Sequence, residues 1–269
     1  MSLHHEITGS GPTVVLVHGV CHRGHAWDAV VPLLEDRFRV VVVDLPGHGE
    51  SPEAPGEGDP LPYMADRLAE VLAEVTPDGE RAHLAGNSLG GFLALEMGAR
   101  GLAESVTAFS PAGFFRTEAE HRHARRVFTT LRALARVTAP VVPLLSRSAL
   151  GRTAFMGVFC ARPWRYAPEA MAIDGAAIVT NRVVDRALAA DFLVSEPVDE
   201  DLPITVRWGR FDLVLPAGQA RQVPRVFPRA RVEITPDGHV PMTDDPAGVA
   251  AAIADTVRRG QEHAARAAR

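Results

Sequence analysis

The chain has 269 residues, of which 46% are hydrophobic and 23% are charged, and its formal net charge is −5. This composition is typical of a folded protein large enough for one α/β domain with an insertion. Its two cysteines, Cys21 and Cys160, exclude a disulfide framework and a four-cysteine metal site. All 28 basic residues are arginine, which excludes a Schiff-base lysine.

The start of the sequence, residues 1–6, lacks the basic and apolar regions of a secretory signal peptide. No apolar run in the sequence approaches the roughly 18 residues of a membrane-spanning helix. We therefore expect a cytoplasmic protein with no stable membrane association and no nucleic-acid partner.

The first part of the chain is predicted to alternate between strands and helices. Polar residues 3–13, which include two glycines, predict a hairpin or an edge strand. Continuous apolar runs predict strands buried on both faces, and stretches with helical spacing follow them. The predicted strands are 13–17, 38–43, 81–85 and 105–109, and the predicted helices are 27–34, 63–75 and the segment that starts at 92.

The middle of the chain, about residues 113–199, is predicted to be mostly helical, with its last helical stretch over 167–193. Between residues 116 and 165, ten arginines and only two glutamates give this part a charge of +8. Its clearest helix, 117–137, has an apolar stripe with arginines opposite. These arginines are Arg122, Arg125, Arg126, Arg132 and Arg136. We interpret them as a solvated outer face, with a membrane-surface role and guidance of an anionic substrate as the alternatives.

The alternation resumes near residue 200. Strands are predicted at 204–208 and 231–234 and helices at 216–226 and 246–259, and 260–269 is expected to fray. Repeated strand–helix units imply a mostly parallel sheet covered on both faces. The helical block enters where the strands end, the edge at which such sheets bind ligands. The sequence therefore predicts a core of 1–112 and 200–269 with an inserted helical cap, or lid, of 113–199.

The hexapeptide Gly86-Asn87-Ser88-Leu89-Gly90-Gly91 lies between a predicted strand and a predicted helix. A Gly-x-Ser-x-Gly pattern at such a corner is typical of a nucleophile elbow. Its glycines allow strand and helix to approach closely, while the turn strains the serine backbone and exposes Oγ. The N–H of Leu89, at the helix start, can then face a developing oxyanion.

Two more polar residues, Asp212 and His239, follow predicted strands. A parallel sheet gathers them with Ser88 at one edge. A serine hydroxyl needs a base, and His239 can accept its proton and later return it to the leaving group. Asp212 can fix the imidazole tautomer and stabilise the imidazolium. We therefore predict Ser88, Asp212 and His239 as the catalytic residues.

These residues and their flanking motifs resemble the α/β-hydrolase superfamily, in its capped, serine-nucleophile form that includes esterases and lipases. The other motifs are His18-Gly19, residues 44–51, Trp208-Gly209-Arg210-Phe211-Asp212 and Gly238-His239-Val240-Pro241-Met242. The resemblance implies an α/β-hydrolase fold, with a mostly parallel central sheet, helices on both faces and an inserted helical cap. It also implies that the N–H of Val20 joins that of Leu89 in an oxyanion hole. Asp44 also follows a predicted strand and is the alternative to Asp212 as the catalytic acid. In the family pattern, however, this aspartate belongs to a structural turn.

The function we infer is cofactor-independent cleavage of a small ester, thioester or lactone through an acyl-enzyme on Ser88. The alternatives are a carbon–carbon bond hydrolase of the meta-cleavage type, a lyase or cofactor-free oxidase, and a ligand receptor that reuses the triad. We expect no cofactor and no metal, although His18, Cys21, His22 and His25 lie in one loop. The candidate residues of the substrate pocket are His18, Asn87, Phe114, Phe115, Trp164 and Val240.

Overall fold

The computed structural model describes residues 2–77, 79–267 and 269. Its strands are β1 (His5–Thr8), β2 (Thr13–Val17), β3 (Arg39–Val43), β4 (Ala82–Asn87), β5 (Ala103–Phe109), β6 (Ile204–Gly209) and β7 (Arg231–Thr235). They form one seven-stranded sheet in the order β1-β3-β2-β4-β5-β6-β7. The edge strand β1 pairs antiparallel with β3, and the other neighbours are parallel.

The helices lie on both faces of this sheet and above the edge where the parallel strands end. They are α1 (Pro60–Val75), α2 (Leu89–Ala99), α3 (Glu118–Thr138), α4 (Val142–Leu145), α5 (Ala149–Met156), α6 (Pro168–Thr180), α7 (Val184–Ala189), α8 (Val223–Val226), α9 (Pro241–Asp244) and α10 (Pro246–Ala267). Helices α3 to α7 form an insertion between β5 and β6. The α/β-hydrolase fold with a helical insertion is thus confirmed.

Two hydrophobic cores flank the sheet because successive side chains of a strand point to opposite faces. In β2, Val15 and Val17 belong to the core that packs against α1 and α2. Val14 and Leu16 belong to the other core, which contains Trp27 and apolar residues of α10. All five residues of β2 are buried, as the continuous apolar run predicts.

Two predicted helices are replaced by tighter turns. Residues 27–34 form two 3-10 helices, Gly24–Trp27 and Val31–Leu33, rather than one α-helix. Residues 216–226 form the 3-10 helix Ala217–Gln222, followed by the single turn of α8. Both segments contain prolines, which lack the N–H that a longer α-helix requires.

Two other helix boundaries also differ from the prediction. The stretch 167–193 is split into α6 and α7 at Asn181, whose side-chain oxygen accepts a hydrogen bond from Val183 N–H at 2.9 Å. That bond competes with the backbone hydrogen bonds of a helix, so the helix ends here instead of continuing. Helix α10 continues to Ala267, so the expected fraying of 260–269 is wrong over 260–267.

Arg132 does not lie on the outer face of α3, so this part of the sequence prediction is wrong. The side chain is buried and donates hydrogen bonds to the carbonyl oxygens of Ile178 and Asn181, both at 2.8 Å. It also pairs with Asp185. Arg132 therefore fastens α3 to α6 and α7. The other four predicted arginines of this helix are exposed: Arg122, Arg125, Arg126 and Arg136.

Candidate active site

Ser88 lies at the corner between β4 and α2. Its φ of 55° and ψ of −115° are rare for a residue other than glycine. The corner is tight on both sides: a Cβ on Gly86 would lie 2.2 Å from the carbonyl oxygen of Gly90, and one on Gly90 2.2 Å from that of Val17. The backbone therefore has the strand–turn–helix geometry that the Gly-x-Ser-x-Gly pattern predicts.

Asp212 and His239 follow the neighbouring strands β6 and β7 and lie at the same edge of the sheet as Ser88. Nδ1 of His239 is 2.8 Å from Oδ2 of Asp212, and both side chains are buried. The other oxygen of Asp212 accepts the N–H groups of Val214 and Leu215, at 2.9 and 2.7 Å. When Nδ1 carries the proton and donates a hydrogen bond to Asp212, Nε2 of His239 is left as a hydrogen-bond acceptor.

Asn87 connects the serine corner to the histidine loop. Its side-chain amide donates hydrogen bonds to the carbonyl oxygen of His239 at 2.8 Å and to that of Phe109 at 3.1 Å. The residue before Ser88 is thus bonded directly to the backbone of His239. These bonds hold the two side chains at the same cavity.

Ser88 lies where two apolar cavities meet. The main cavity is also lined by His239. A smaller cavity shares Val20, Ser88 and Phe128 with it. Most other residues of the main cavity come from the helical insertion: Leu131, Leu134, Ala135, Val142, Ala154, Phe155, Met156, Phe159, Met171, Asp174, Gly175 and Ile178.

The N–H groups of Val20 and Leu89 are free in the described part of the chain, where neither donates a hydrogen bond to another protein group. Val20 lines both cavities together with Ser88. Leu89 is the first residue of α2 and lines the smaller cavity. Two free backbone donors on the wall that contains a serine are suited to binding an oxyanion.

A model of the alpha/beta hydrolase family matches residues 14–252. The chain belongs to the alpha/beta hydrolase family. The structure of a thermophilic esterase from Thermogutta terrifontis is similar to this hydrolase, with a TM-score of 0.68 and 27% identity. That similarity covers 96% of this chain and 93% of the esterase.

Curated relatives match the hydrolase over different lengths. The pimeloyl-[acyl-carrier protein] methyl ester esterase of Aeromonas hydrophila is 42% identical over 97 residues, and the match spans 36% of each chain. This hydrolase thus covers only about a third of that relative's length. An uncharacterised protein of Mycobacterium tuberculosis is 29% identical over 256 residues, which are 90% of this chain and 74% of that protein.

Asp44 of the hydrolase is bound into a turn. Its two carboxylate oxygens accept the N–H groups of Gly24 and Glu50, at 2.7 and 2.9 Å. The carbonyl of Asp44 accepts the hydroxyl of Ser51 at 2.6 Å. Its carboxylate is therefore occupied by the backbone, whereas the carboxylate next to His239 is that of Asp212.

His18 is fully buried and lies outside the described linings of both cavities. Its Nδ1 is 2.7 Å from the carbonyl oxygen of Gly19, and its Nε2 accepts the N–H of Leu45 at 3.0 Å. Burial lowers the pKa of His18 well below its usual range, and the neighbouring His48 lowers it further. A neutral His18 therefore holds the loop that contains Val20.

Of the other candidates for the substrate pocket, two line the cavities and three do not. Asn87 lines the main cavity and Phe115 the smaller one. Phe114 packs edge-on against a buried tryptophan, Val240 is buried, and Trp164 is half exposed. These three lie outside the described linings of the two cavities.

Sequence reasoning missed several polar residues at the site. Asp174 and His22 line the main cavity, and Tyr166 and His25 lie behind them. The carboxylate of Asp244 binds the loop before His239. The loop histidines were visible in the sequence, but only as part of a metal-site hypothesis. Asp174 had no local pattern that would have marked it.

In the part of the hydrolase that the structure describes, no group of three or more His, Cys, Asp or Glu side chains is arranged to hold a metal ion. Burial raises the pKa of the Cys21 thiol to about 12, so this cavity-lining residue stays protonated and is a poor nucleophile. None of the described helices is long and apolar enough to cross a membrane.

Proposed function

We propose that this protein is a cofactor-independent serine hydrolase that cleaves a small carboxylic ester, thioester or lactone. The observation that carries the proposal is the 2.8 Å pair of Asp212 and His239 on a cavity that Ser88 also lines. The relatives named as esterases support the choice of ester chemistry, since one of them matches nearly the whole chain.

The mechanism assigns one task to each residue. Oγ of Ser88 attacks the substrate carbonyl while Nε2 of His239 accepts its proton, and Asp212 stabilises the resulting imidazolium. The N–H groups of Val20 and Leu89 bind the oxyanion of the tetrahedral intermediate. His239 then protonates the leaving alcohol or thiol, which leaves an acyl-enzyme on Ser88. A water activated by His239 hydrolyses that ester and regenerates the serine.

The two cavities suit unequal halves of an ester, since the main cavity has room for the larger half and the smaller cavity only for a small group. The scissile carbonyl must lie at Ser88, which both cavities share, so the acyl and alcohol groups can extend in different directions. Phe128 borders both spaces and would separate the two groups. The apolar side chains of the main cavity favour a hydrocarbon portion of the substrate.

We further propose that residues 113–199 act as a cap on a core of residues 1–112 and 200–269. This division is supported by the number of main-cavity residues that belong to α3, α5 and α6. An anionic substrate is the partner that would benefit from the exposed arginines of α3. Their effect would be on the rate of association rather than on the chemical step.

The experiment is a panel of chromogenic esters tested on the wild type, Ser88→Ala, Asp212→Asn and Asp44→Asn. Ser88→Ala and Asp212→Asn should lower kcat by about three orders of magnitude or more. Asp44→Asn should destabilise the protein but keep kcat in the folded fraction. If Asp212→Asn is as active as wild type while folded Asp44→Asn is inactive, the assignment of the acid is wrong. Wild type without turnover of any ester would favour a ligand receptor or another reaction.

A further inference from the structure

A buried polar cluster on the wall of the main cavity has no role in the mechanism above. The hydroxyl of Tyr166 donates a hydrogen bond to Oδ2 of Asp174 at 2.6 Å. Nε2 of His25 lies 3.1 Å from Oδ1 of Asp174, and Nε2 of His22 lies 3.4 Å from the Tyr166 hydroxyl. Asp174 and His22 line the cavity. The cluster joins the helical insertion to the loop after β2.

The hydrogen-bonding capacity of this cluster is only partly used. Asp174 is 7% exposed, and its Oδ1 lies 3.1 Å from Nε2 of His25. Its Oδ2 accepts one bond, although a carboxylate oxygen can accept two. Nδ1 of His22 has no hydrogen-bond partner among the described residues. Since burying a carboxylate with open acceptor positions costs free energy, the cluster points to a role in binding.

The charge of the cluster indicates which groups it can bind. Burial raises the pKa of the Asp174 carboxyl, but His22, His25 and the Tyr166 hydroxyl outweigh burial and bring the pKa below its usual value. Burial lowers the pKa of His22, so its imidazole is neutral near pH 7. The wall thus places an ionised acceptor, Asp174, beside the neutral imidazole of His22. It would repel a carboxylate and accept a hydrogen bond from a neutral donor.

We propose that Asp174 is a specificity-determining residue that accepts a hydrogen bond from a hydroxyl group on the substrate portion in the main cavity. The proposal rests on the serine-hydrolase function proposed above and narrows its substrates to hydroxylated acyl or alkyl groups. Hydrocarbon contacts fill the remainder of the cavity. An anionic group on the same substrate would stay near the mouth, away from the carboxylate of Asp174.

The test uses p-nitrophenyl hexanoates with one hydroxyl group placed at successive chain positions, next to the unsubstituted ester and a half-ester with a terminal carboxylate. For wild type, kcat/KM for at least one hydroxylated ester should exceed that for the parent, and the half-ester should be the poorest. Asp174→Leu should reduce the preference for that hydroxylated ester by about tenfold or more. Asp174→Asn, which keeps an acceptor oxygen, should retain part of it. Glu169→Gln, also on α6, is the control and should leave the preference unchanged.

A second measurement separates recognition from a merely structural contact between the insertion and the core. Asp174→Leu leaves the buried Tyr166 hydroxyl without its acceptor, so Tm should fall whichever role Asp174 has. If Asp174 were only structural, this fall in Tm would be accompanied by equal effects on hydroxylated and parent esters. That result would overturn the proposal, as would a wild type that hydrolyses both esters without preference.

Binding separates this proposal from the proposed hydrolase function. Calorimetry with Ser88→Ala, which needs no turnover, should show tighter binding of the preferred hydroxylated hexanoate as its methyl ester than of methyl hexanoate. Asp174→Leu in the same background should remove the difference. Turnover without this binding difference contradicts the role of Asp174 alone. The binding difference without turnover in wild type contradicts the hydrolase function and leaves the hydroxyl site supported.

Discussion

The carboxylate of Asp244 accepts a hydrogen bond from the N–H of Gly238, the residue before His239, at 2.7 Å. The same carboxylate accepts the N–H groups of Ala161 and Arg162 in the insertion, at 2.9 and 2.6 Å. One fully buried side chain therefore binds both the histidine loop and the segment after α5. We therefore expect the position of His239 to depend on how the insertion packs against the core.

Asp244→Asn should make this connection visible in kinetics. An amide keeps one acceptor oxygen and turns an NH₂ group toward backbone donors, so the Gly238 loop should shift. We expect kcat to fall by about 10- to 100-fold, since small displacements of catalytic groups have effects of this size. Stability should fall by about 1–3 kcal/mol. Steady-state kinetics and thermal unfolding measure the two effects.

Asp245→Asn is the matched control for Asp244→Asn. The carboxylate of Asp245 accepts the N–H of Gly248 at 3.0 Å, in the first turn of α10. Asparagine caps a helix N-terminus about as well as aspartate, so Asp245→Asn should change stability little and leave kcat unchanged. Equal effects of the two variants on kcat would show that Asp244 has no special connection with His239.

Phe128 is predicted to keep the two halves of the substrate apart, because it lines both cavities. Phe128→Ala should join the cavities and raise relative kcat/KM for esters with longer acyl and longer alcohol groups. Phe155→Ala, at a residue of the main cavity alone, should widen the preference for only one of the two groups. Two ester series, one varied in the acyl group and one in the alcohol, measure this. If kcat/KM of Phe128→Ala depends on acyl and alcohol length as in wild type, Phe128 does not separate the two groups.

Acid should destabilise the protein partly through His83. Burial lowers the pKa of His83 from 6.5 to about 4, and its Nδ1 lies 2.9 Å from the hydroxyl of Ser105. The unfolded chain therefore binds a proton that the native state does not between pH 6.5 and about 4. The stability from neutral His83 is fully present above this window and is lost as the pH falls through it.

The measurement is the free energy of unfolding in urea at several pH values within that window. His83→Gln should reduce the slope against pH by about 1.4 kcal/mol per unit, the value for one proton. Ser105→Ala removes the hydrogen bond but keeps the histidine buried, so its slope should resemble that of wild type. An unchanged slope in His83→Gln would show that this histidine does not contribute.

The exposed arginines of α3 should act on anionic substrates from a distance. Salt should depress kcat/KM for an anionic ester as the Debye length falls from about 30 to about 8 Å, with little effect on a matched neutral ester. Reversing Arg125 and Arg126 to Glu should abolish this difference and leave kcat unchanged. Arg266→Glu, at an exposed position near the end of α10, is the charge control and should retain it. Identical salt profiles for the two esters in wild type would show that these arginines do not guide anionic substrates.

The fold and the serine corner could be predicted because their signals are local. The sequence around Ser88 contains its own turn glycines, and buried parallel strands form continuous apolar runs. Arg132 could not be placed because helical periodicity shows one apolar stripe, whereas α3 packs against α6 and α7 on another side. Asp244 and Asp174 acquire their roles from contacts with distant parts of the chain.

Labelling by a fluorophosphonate, located by peptide mass spectrometry, tests whether Ser88 is an activated nucleophile. We expect about one phosphonyl group per chain, attached to Ser88 in wild type, and a much slower reaction in Asp212→Asn. Ser110 provides an internal comparison, since it also follows a parallel strand and has a positive φ, of 41°. No labelling of folded wild type, or labelling of Ser110 rather than Ser88, would show that Ser88 is not an activated nucleophile.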